Sequence, residues 1–359
     1  MEKYIIKSKD NWNALLNEHF NYFNDIYFTY EYFELYRRNF DVEPEAFYWS
    51  DNYISVFLPH LIRNVSNFNN SHTQKLSDLI SPYGYCGPLI KQKCNTNFPD
   101  SFITSSLHQF FKDYHNYCKE KNYVCEFIRY HPLCTNNQFF DEIINNFRSG
   151  SVIYINLNDT MDALYGNIKK GTRYNIRTTE KRGCKIEFVD NPSKDDITDF
   201  LKCYREMLLR NNAPEKYNFD RKFIEDTFSL LDAFMLKATY QGNCVGAYIY
   251  LKGPKILHNH LGGALRLKGI FPGDLIYMKA IEFAKKEGFE YFMLGGGTGT
   301  DDSLFKYKLN FSSLIKPFYI GKMVYLPEIY NKLVEEKNLL NVNSDYFPKY
   351  RYNSDKTIV

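Results

Sequence analysis

Three stretches of the chain carry side chains whose types and spacing could do chemistry. The first is Lys169-Lys170-Gly171-Thr172-Arg173-Tyr174-Asn175-Ile176-Arg177-Thr178-Thr179-Glu180-Lys181-Arg182, six basic residues against one acidic. Lys169, Arg173, Arg177 and Lys181 recur every four residues, so a helix gathers them on one face. Like charges at that spacing repel by about 0.2–0.5 kcal/mol per pair, and a bound polyanion relieves the repulsion; a solvated helix face explains the stripe equally well. The second is Pro272-Gly273-Asp274, opening a helix whose first N–H groups suit an anion or a developing negative charge, or simply a capped helix. The third is Asp301–Phe311, where Lys306 and Lys308 alternate with Phe305 and Tyr307. If the segment is extended, the two lysines share a face; if helical, Lys308 turns away from Lys306 toward Leu304 and Phe311. Either way an amine lies beside aromatic walls, where desolvation strengthens its field. His258 and His260 alternate on a predicted strand and so face one side; a structural pair, a base and a substrate contact are the readings, and no third ligand makes a metal site of them. Arg129 and His131 likewise share a strand face before Pro132. No GxSxG, HExxH or Walker sequence occurs, which removes those enzyme classes.

The elements that must position these groups follow from periodicity. A strand at Lys3–Ile6 precedes a helix with Trp12, Leu15, Leu16, Phe20 and Phe23 at helical spacing. A short helix near Tyr30–Arg38, strands at Ala46–Trp49 and Ile54–Leu61, a polar loop over 63–77, a long helix over Phe102–Lys121 and a strand at Tyr123–Tyr130 complete the first half. Phe147–Gly150 reads as a boundary. Beyond it come a strand at Ser151–Leu157, one helix from Met161 to Arg182 closed by Gly183, and a strand at Lys185–Val189. Helices at Asp195–Asn211 and Asp220–Leu231 follow. A three-strand meander (Ala233–Tyr240, Val245–Leu251, Ile256–Gly262), a helix over Asp274–Glu287 and a strand at Tyr291–Leu294 running into three glycines close the second half. The two halves fit two copies of one mixed α/β (α+β) fold: domains over 1–150 and 151–340, with a tail at 341–359.

At 359 residues, 44% hydrophobic and 24% charged, the chain supports two globular cores. A net charge of +3 is too balanced to mark it as a general nucleic-acid protein, so no DNA partner is expected. The 31 Tyr and 30 Phe read as compositional bias. Eight cysteines without a CxxC read as free buried thiols of a reducing compartment. No apolar run approaches the roughly 20 residues of a membrane span, and Met1–Asp10 lacks a signal-peptide pattern; a cytoplasmic location is expected.

Lys170–Gly183 resembles the Arg-x-x-Ile-Arg-Lys-Ala-x-Lys-x-Gly signature of the Fem family, the FemA-, FemB- and FemX-type aminoacyltransferases of peptidoglycan bridge synthesis. Gly273–Phe311 resembles that family's closing motif, with Leu304, Tyr307, Lys308 and Phe311 at matching positions. Ser81–Pro88 and Glu126–Leu133 look like its first-domain motifs. The resemblance covers most of residues 80–320. It implies two tandem GNAT-like (N-acetyltransferase-like) domains, each a mixed, mostly antiparallel sheet flanked by helices. No coiled-coil arm is inserted. It further implies a cleft between the domains, with the acceptor bound largely by the first.

Residue by residue, the resemblance implies that Lys308 stabilises a tetrahedral intermediate. It implies that Tyr83, Gly84, Tyr85, Arg129, His131 and Arg210 serve the acceptor. Lys169, Lys170, Arg173, Arg177, Lys181, Gly273 and Tyr307 fall to the donor or its RNA. The implied reaction is transfer of an aminoacyl or acyl group to an amine of a cell-wall or cell-surface precursor, sugar-nucleotide or lipid-linked. Aminoacyl-tRNA or acyl-CoA is the co-substrate, and neither a metal nor a permanently bound cofactor is expected. Arg266-Leu267-Lys268-Gly269-Ile270-Phe271 departs from the Arg/Gln-x-x-Gly-x-Gly/Ala loop that holds coenzyme A. An acyl-CoA-dependent acetyltransferase acting on an amino sugar, and a non-catalytic RNA-binding module on the same fold, are the alternatives. The general base stays open among a substrate group, a water, His258 and His260.

Overall fold

The structure is a computed structural model, described over residues 1–21, 25–65, 75–93, 100–134, 145–297 and 302–352. In chain order its elements begin with β1 (Glu2–Ile6), α1 (Lys9–His19), α2 (Tyr30–Asn39), β2 (Val42–Ser50), β3 (Ile54–Asn64), β4 (Ser77–Ile80), β5 (Leu89–Gln92), α3 (Asp100–Glu120) and β6 (Tyr123–Arg129). They continue with β7 (Asn145–Asn156), α4 (Met161–Asn167), α5 (Lys170–Lys181), β8 (Lys185–Val189), α6 (Lys194–Arg210), α7 (Arg221–Leu230), β9 (Ala233–Tyr240), β10 (Asn243–Lys252) and β11 (Ile256–Ala264). The last are α8 (Pro272–Lys286), β12 (Tyr291–Gly295), α9 (Ser303–Lys308), β13 (Ile315–Val324) and α10 (Pro327–Glu336). Phe23, Cys94, Asp301 and most of the polar loop read over 63–77 lie outside the described residues. The seven described cysteines are buried free thiols. No helix among the described residues is long and apolar enough to cross a membrane.

The chain divides into two compact units, Met1–Ser149 with Phe318–Val359, and Gly150–Pro317. In the first, the strands lie in the order β1-β2-β3-β4-β6-β13, with β5 also on β3. Every pair is antiparallel except β4–β6. In the second, the order is β8-β9-β10-β11-β12-β7, and only β11–β12 is parallel. Each unit is thus the mixed, mostly antiparallel sheet flanked by helices that the sequence reading expected, with the same strand order counted from its parallel pair.

The outermost strand of each unit comes from outside its run of consecutive strands. Strand β7 precedes the other strands of the second unit, and β13 follows those of the first. Residues 318–340, expected in the second domain, therefore group with the first, because β13 pairs with β6 from Ile320 opposite Arg129 to Val324 opposite Cys125. The tail expected at 341–359 is likewise anchored there as far as it is described. Phe147–Gly150, read as a boundary, holds the division between the units, which falls between Ser149 and Gly150 within the continuous strand β7.

Local chemistry accounts for the helices. Ser193 and Asp196 form a reciprocal capping box at the start of α6, which buries Ile197, Phe200, Leu201 and Tyr204 at helical spacing. Helix α3 does the same in the first unit with Leu107, Phe110, Phe111, Tyr114 and Cys118. The single helix expected over 161–182 is broken: Ile168 and Lys169 are extended, and the Lys169 N–H goes to the Asn310 carbonyl at 2.9 Å. A tertiary hydrogen bond there outweighs local helix propensity.

In the first unit a buried ionic knot holds the last described segment. Asp78, fully buried, accepts from Arg63 Nε at 2.7 Å, Arg351 Nε at 2.6 Å and the Tyr350 hydroxyl at 2.8 Å. Removing the carboxylate strands two buried guanidiniums, the situation in which breaking a buried pair costs about 3–5 kcal/mol. Asp78→Ala should therefore lower the urea midpoint sharply. Arg351→Leu should lower it less, since Arg63 and Tyr350 still hold Asp78.

Candidate active site

Helix α9 of the second unit is short, and its geometry is set at both ends. The Asp302 carboxylate caps it by accepting from the Phe305 N–H at 2.7 Å. Phe305 and Phe311 are buried in the core, where Phe311 stacks on Tyr277 with ring centroids 4.8 Å apart. The helical reading of this segment is the one observed: Lys306 is exposed, and Lys308 turns inward to 6% exposure. Its Nζ donates to the Gly296 carbonyl at 2.7 Å. Burial pushes its pKa down to about 8, with Asp302 opposing the shift.

Gly296 immediately follows β12, and the glycines make the close approach feasible. A Cβ on Gly296 would sit 2.7 Å from the Ser151 carbonyl, and one on Gly297 would collide with the Asp302 carboxylate. The parallel ladder of β11 and β12 ends at His258 opposite Met293, although β11 continues to Ala264 and β12 to Gly295. The amine of Lys308 thus faces the end of β12, just past the point where the two parallel strands stop pairing.

A second cluster lies at the start of α8. Asp274 is buried and accepts from Asn175 Nδ2 at 2.9 Å and from the Tyr307 hydroxyl. Burial raises its pKa, against those two hydrogen bonds. Gly273 has no room for a side chain, since a Cβ would lie 2.9 Å from the Tyr307 hydroxyl and 3.2 Å from that of Tyr248. Asn175, Tyr248 and Asp274 were not assigned roles from the sequence. Asp274 had a signal in its Pro-Gly-Asp context; Asn175, ninety-nine residues away, had none.

The loop before α8 is closed from within. The Phe271 N–H donates to Thr179 Oγ1 at 3.0 Å, and the Asp274 and Leu275 N–H groups return to the Phe271 carbonyl. Arg182 Nη1 donates to the Gly269 carbonyl at 2.9 Å and takes the space a Cβ there would need. The loop therefore turns carbonyls toward a guanidinium.

The basic helix divides its cations. Lys169, Lys170, Arg177 and Lys181 are exposed. Arg173 is half-buried and bends back, its Nη1 donating to the Gly166 carbonyl at 3.2 Å and its guanidinium lying 5.6 Å from the Tyr165 ring centre. Arg210 closes α6, donating to the Ala264 carbonyl at 3.1 Å, while its buried Nε has no hydrogen-bond partner among the described residues.

His258 and His260 are both buried. The register shift between Ile249 and Tyr250 leaves His260 as the extra residue of a bulge, so the simple alternation expected of the pair does not run through it. Burial first, and the His258 charge second, push the His260 pKa down to about 3, which makes it a weak base near neutral pH.

The acceptor candidates of the first unit gather around one loop. Arg129 Nε donates to the Gly84 carbonyl at 3.3 Å, and its guanidinium lies 5.6 Å from the Phe318 ring centre and 6.0 Å from those of Tyr83 and Phe127. Gly84 has φ of +95°, and Tyr27 lies against it. Tyr85 packs edge-on against Tyr27 and Phe318. His131 is buried, with Nε2 3.0 Å from Asp25 and Nδ1 accepting the Leu133 N–H. That holds the ring in place and leaves Arg129 and Tyr83 as the more accessible pair.

No curated protein matches the sequence. Residues 166–309 match the family model described as an acetyltransferase (GNAT) domain, a span that contains Asn175, Arg210, Asp274, Tyr307 and Lys308. Among solved structures, FemX is similar with a TM-score of 0.68 at 10% identity, over 92% of this chain and 99% of that one. L-PGS from Bacillus licheniformis is similar with a TM-score of 0.52 at 14% identity, over 93% and 97%. A domain of a putative lysylphosphatidylglycerol synthetase from Agrobacterium fabrum gives 0.52 at 12% identity, over 91% and 97%. At these identities the structures show the fold, which is FemX-like; the matched domain makes the chain an acyltransferase that carries a GNAT-type domain over residues 166–309.

Proposed function

We propose that the second unit transfers an aminoacyl group from an RNA carrier to an amine of a cell-wall or cell-surface precursor. The observation that carries this reading is the buried Lys308 amine on the Gly296 carbonyl. One of its three protons is engaged there, and the others are free to meet an oxyanion. When the acceptor amine attacks the acyl carbon, the new C–N bond forms and the carbonyl oxygen becomes an oxyanion beside the ammonium. As the intermediate collapses, the ester C–O bond breaks, and the proton lost by the amine ends on the departing ribose oxygen. In a site shielded from water a fixed positive charge is worth far more than in solution. For the proton, Asp274 joins the candidate bases: burial raises its pKa and the Tyr307 hydroxyl reaches it, whereas His260 is held neutral.

The closed first turn of α8 supports an RNA-borne donor over coenzyme A. A diphosphate at a helix N-terminus needs free N–H groups; here the Phe271 N–H is taken by Thr179 and a carboxylate stands at Asp274. The exposed Lys169, Lys170, Arg177 and Lys181 supply the polycationic face an RNA backbone requires. Arg210, with its Nε unpartnered, and Arg129 in its aromatic surround suit an anionic acceptor. The matched acetyltransferase domain favours acyl-CoA as the second reading. A tRNA gel shift that weakens with salt, without a thermal shift by acetyl-CoA, is the expected result; a shift of several degrees with acetyl-CoA and none with tRNA would sink the RNA-borne donor.

Lys308→Ala should cut kcat by about 10²–10³-fold, the usual worth of one oxyanion donor, while acceptor binding stays within a few-fold. A non-catalytic RNA-binding module predicts no change in its function. Because the ammonium form does the work, kcat should fall as pH rises through about 8, where Lys308 loses its charge. A rate still climbing well above that pH would assign the amine a different role.

A further inference from the structure

Helix α5 buries only Thr172, Ile176 and Thr179, and its outer face is more than a row of cations. Positions 170, 174, 177 and 181 are the ones that helical geometry aligns most closely, and they hold Lys170, Tyr174, Arg177 and Lys181. Tyr174 is 63% exposed, so an aromatic ring stands in water between three lysine and arginine side chains. The loop tied to the same helix through Thr179 and Arg182 adds exposed Arg266 and Lys268 and the 36%-exposed Phe271. The acidic residue of the helix, Glu180, is paired with Lys279 at 3.1 Å, which leaves the outer face positive.

From this juxtaposition we infer that α5 and the 265–271 loop form a single-stranded RNA platform on which Tyr174 stacks a base. The inference rests on the RNA-borne donor proposed above and names the part of that donor the surface reads: unpaired nucleotides near the acylated end. Cations that track the backbone, interleaved with an exposed ring that offers a π-face to any base, are the physical requirements of such binding. Arg173 takes no part, because it is folded back on the Gly166 carbonyl.

The test measures binding of the full chain to a tRNA transcript and to a short labelled single-stranded RNA ending in CCA. Tyr174→Ala should weaken binding about 5- to 150-fold, the effect of losing one stacked base, and Tyr174→Phe should restore it to within about twofold. Arg177→Gln should instead reduce the slope of log K against log salt by about 0.7–0.9. Both side chains are exposed, so neither substitution removes a core contact, and an unshifted Tm checks this. If Tyr174→Ala binds RNA like the parent while Arg177→Gln weakens it, the stacking platform is wrong and the RNA-borne donor stands. If the parent chain binds no RNA, the donor reading itself falls. If Tyr174→Ala impairs binding to mixed phosphatidylcholine–phosphatidylglycerol vesicles but not to RNA, the face belongs to an anionic membrane and the platform is overturned.

Discussion

The second unit turns on one amine removed from water. Lys308 is held at 6% exposure with its Nζ on a single carbonyl, and burial alone brings its pKa within reach of neutrality. That position depends on everything around it. The Asp302 cap sets the pitch of α9, Phe305 and Phe311 anchor it in the core, and Gly296 and Gly297 let the strand end come close enough to meet it. The end of the β11–β12 ladder leaves the carbonyl of Gly296 outside the parallel pairing, so a side chain can take it.

The neighbouring cluster follows the same logic with the opposite charge. Asp274 sits in the first turn of α8, where the helix macrodipole favours an anion, and Asn175 and Tyr307 supply the hydrogen bonds a buried carboxyl needs. With Thr179 on the Phe271 N–H and the Phe271 carbonyl taking those of Asp274 and Leu275, three of the donors at the start of α8 are already engaged within the chain. The amine and the carboxyl come from different helices and meet through α9, since Tyr307, which donates to Asp274, and Lys308 are consecutive residues there.

In the first unit, polar groups serve mainly to hold the fold. Asp78 gathers Arg63, Tyr350 and Arg351 from distant parts of the chain, and His131 is fixed by Asp25 and the Leu133 N–H. Arg129 sits instead among Tyr83, Phe127 and Phe318, rings whose faces attract a guanidinium.

Periodicity and capping residues were enough to read most elements, because those signals are local. The helix read over Asp195–Asn211, the meander of β9 to β11 and the helix that buries Phe110 and Tyr114 are all legible within a few residues. Lys308 was marked by resemblance instead: with Leu304, Tyr307 and Phe311 it matches the Fem family's closing motif. Long-range contacts were not legible. The break at Ile168–Lys169 needs the carbonyl of Asn310, the Asp274 cluster needs Asn175, and the grouping of residues 318–352 with the first unit needs β6 and Asp78. Sequence by itself determined which residue types could do chemistry and on which elements they ride. Tertiary structure decided which were dry, paired or turned to solvent, because desolvation and hydrogen-bond competition arise only when segments far apart in the chain are packed together.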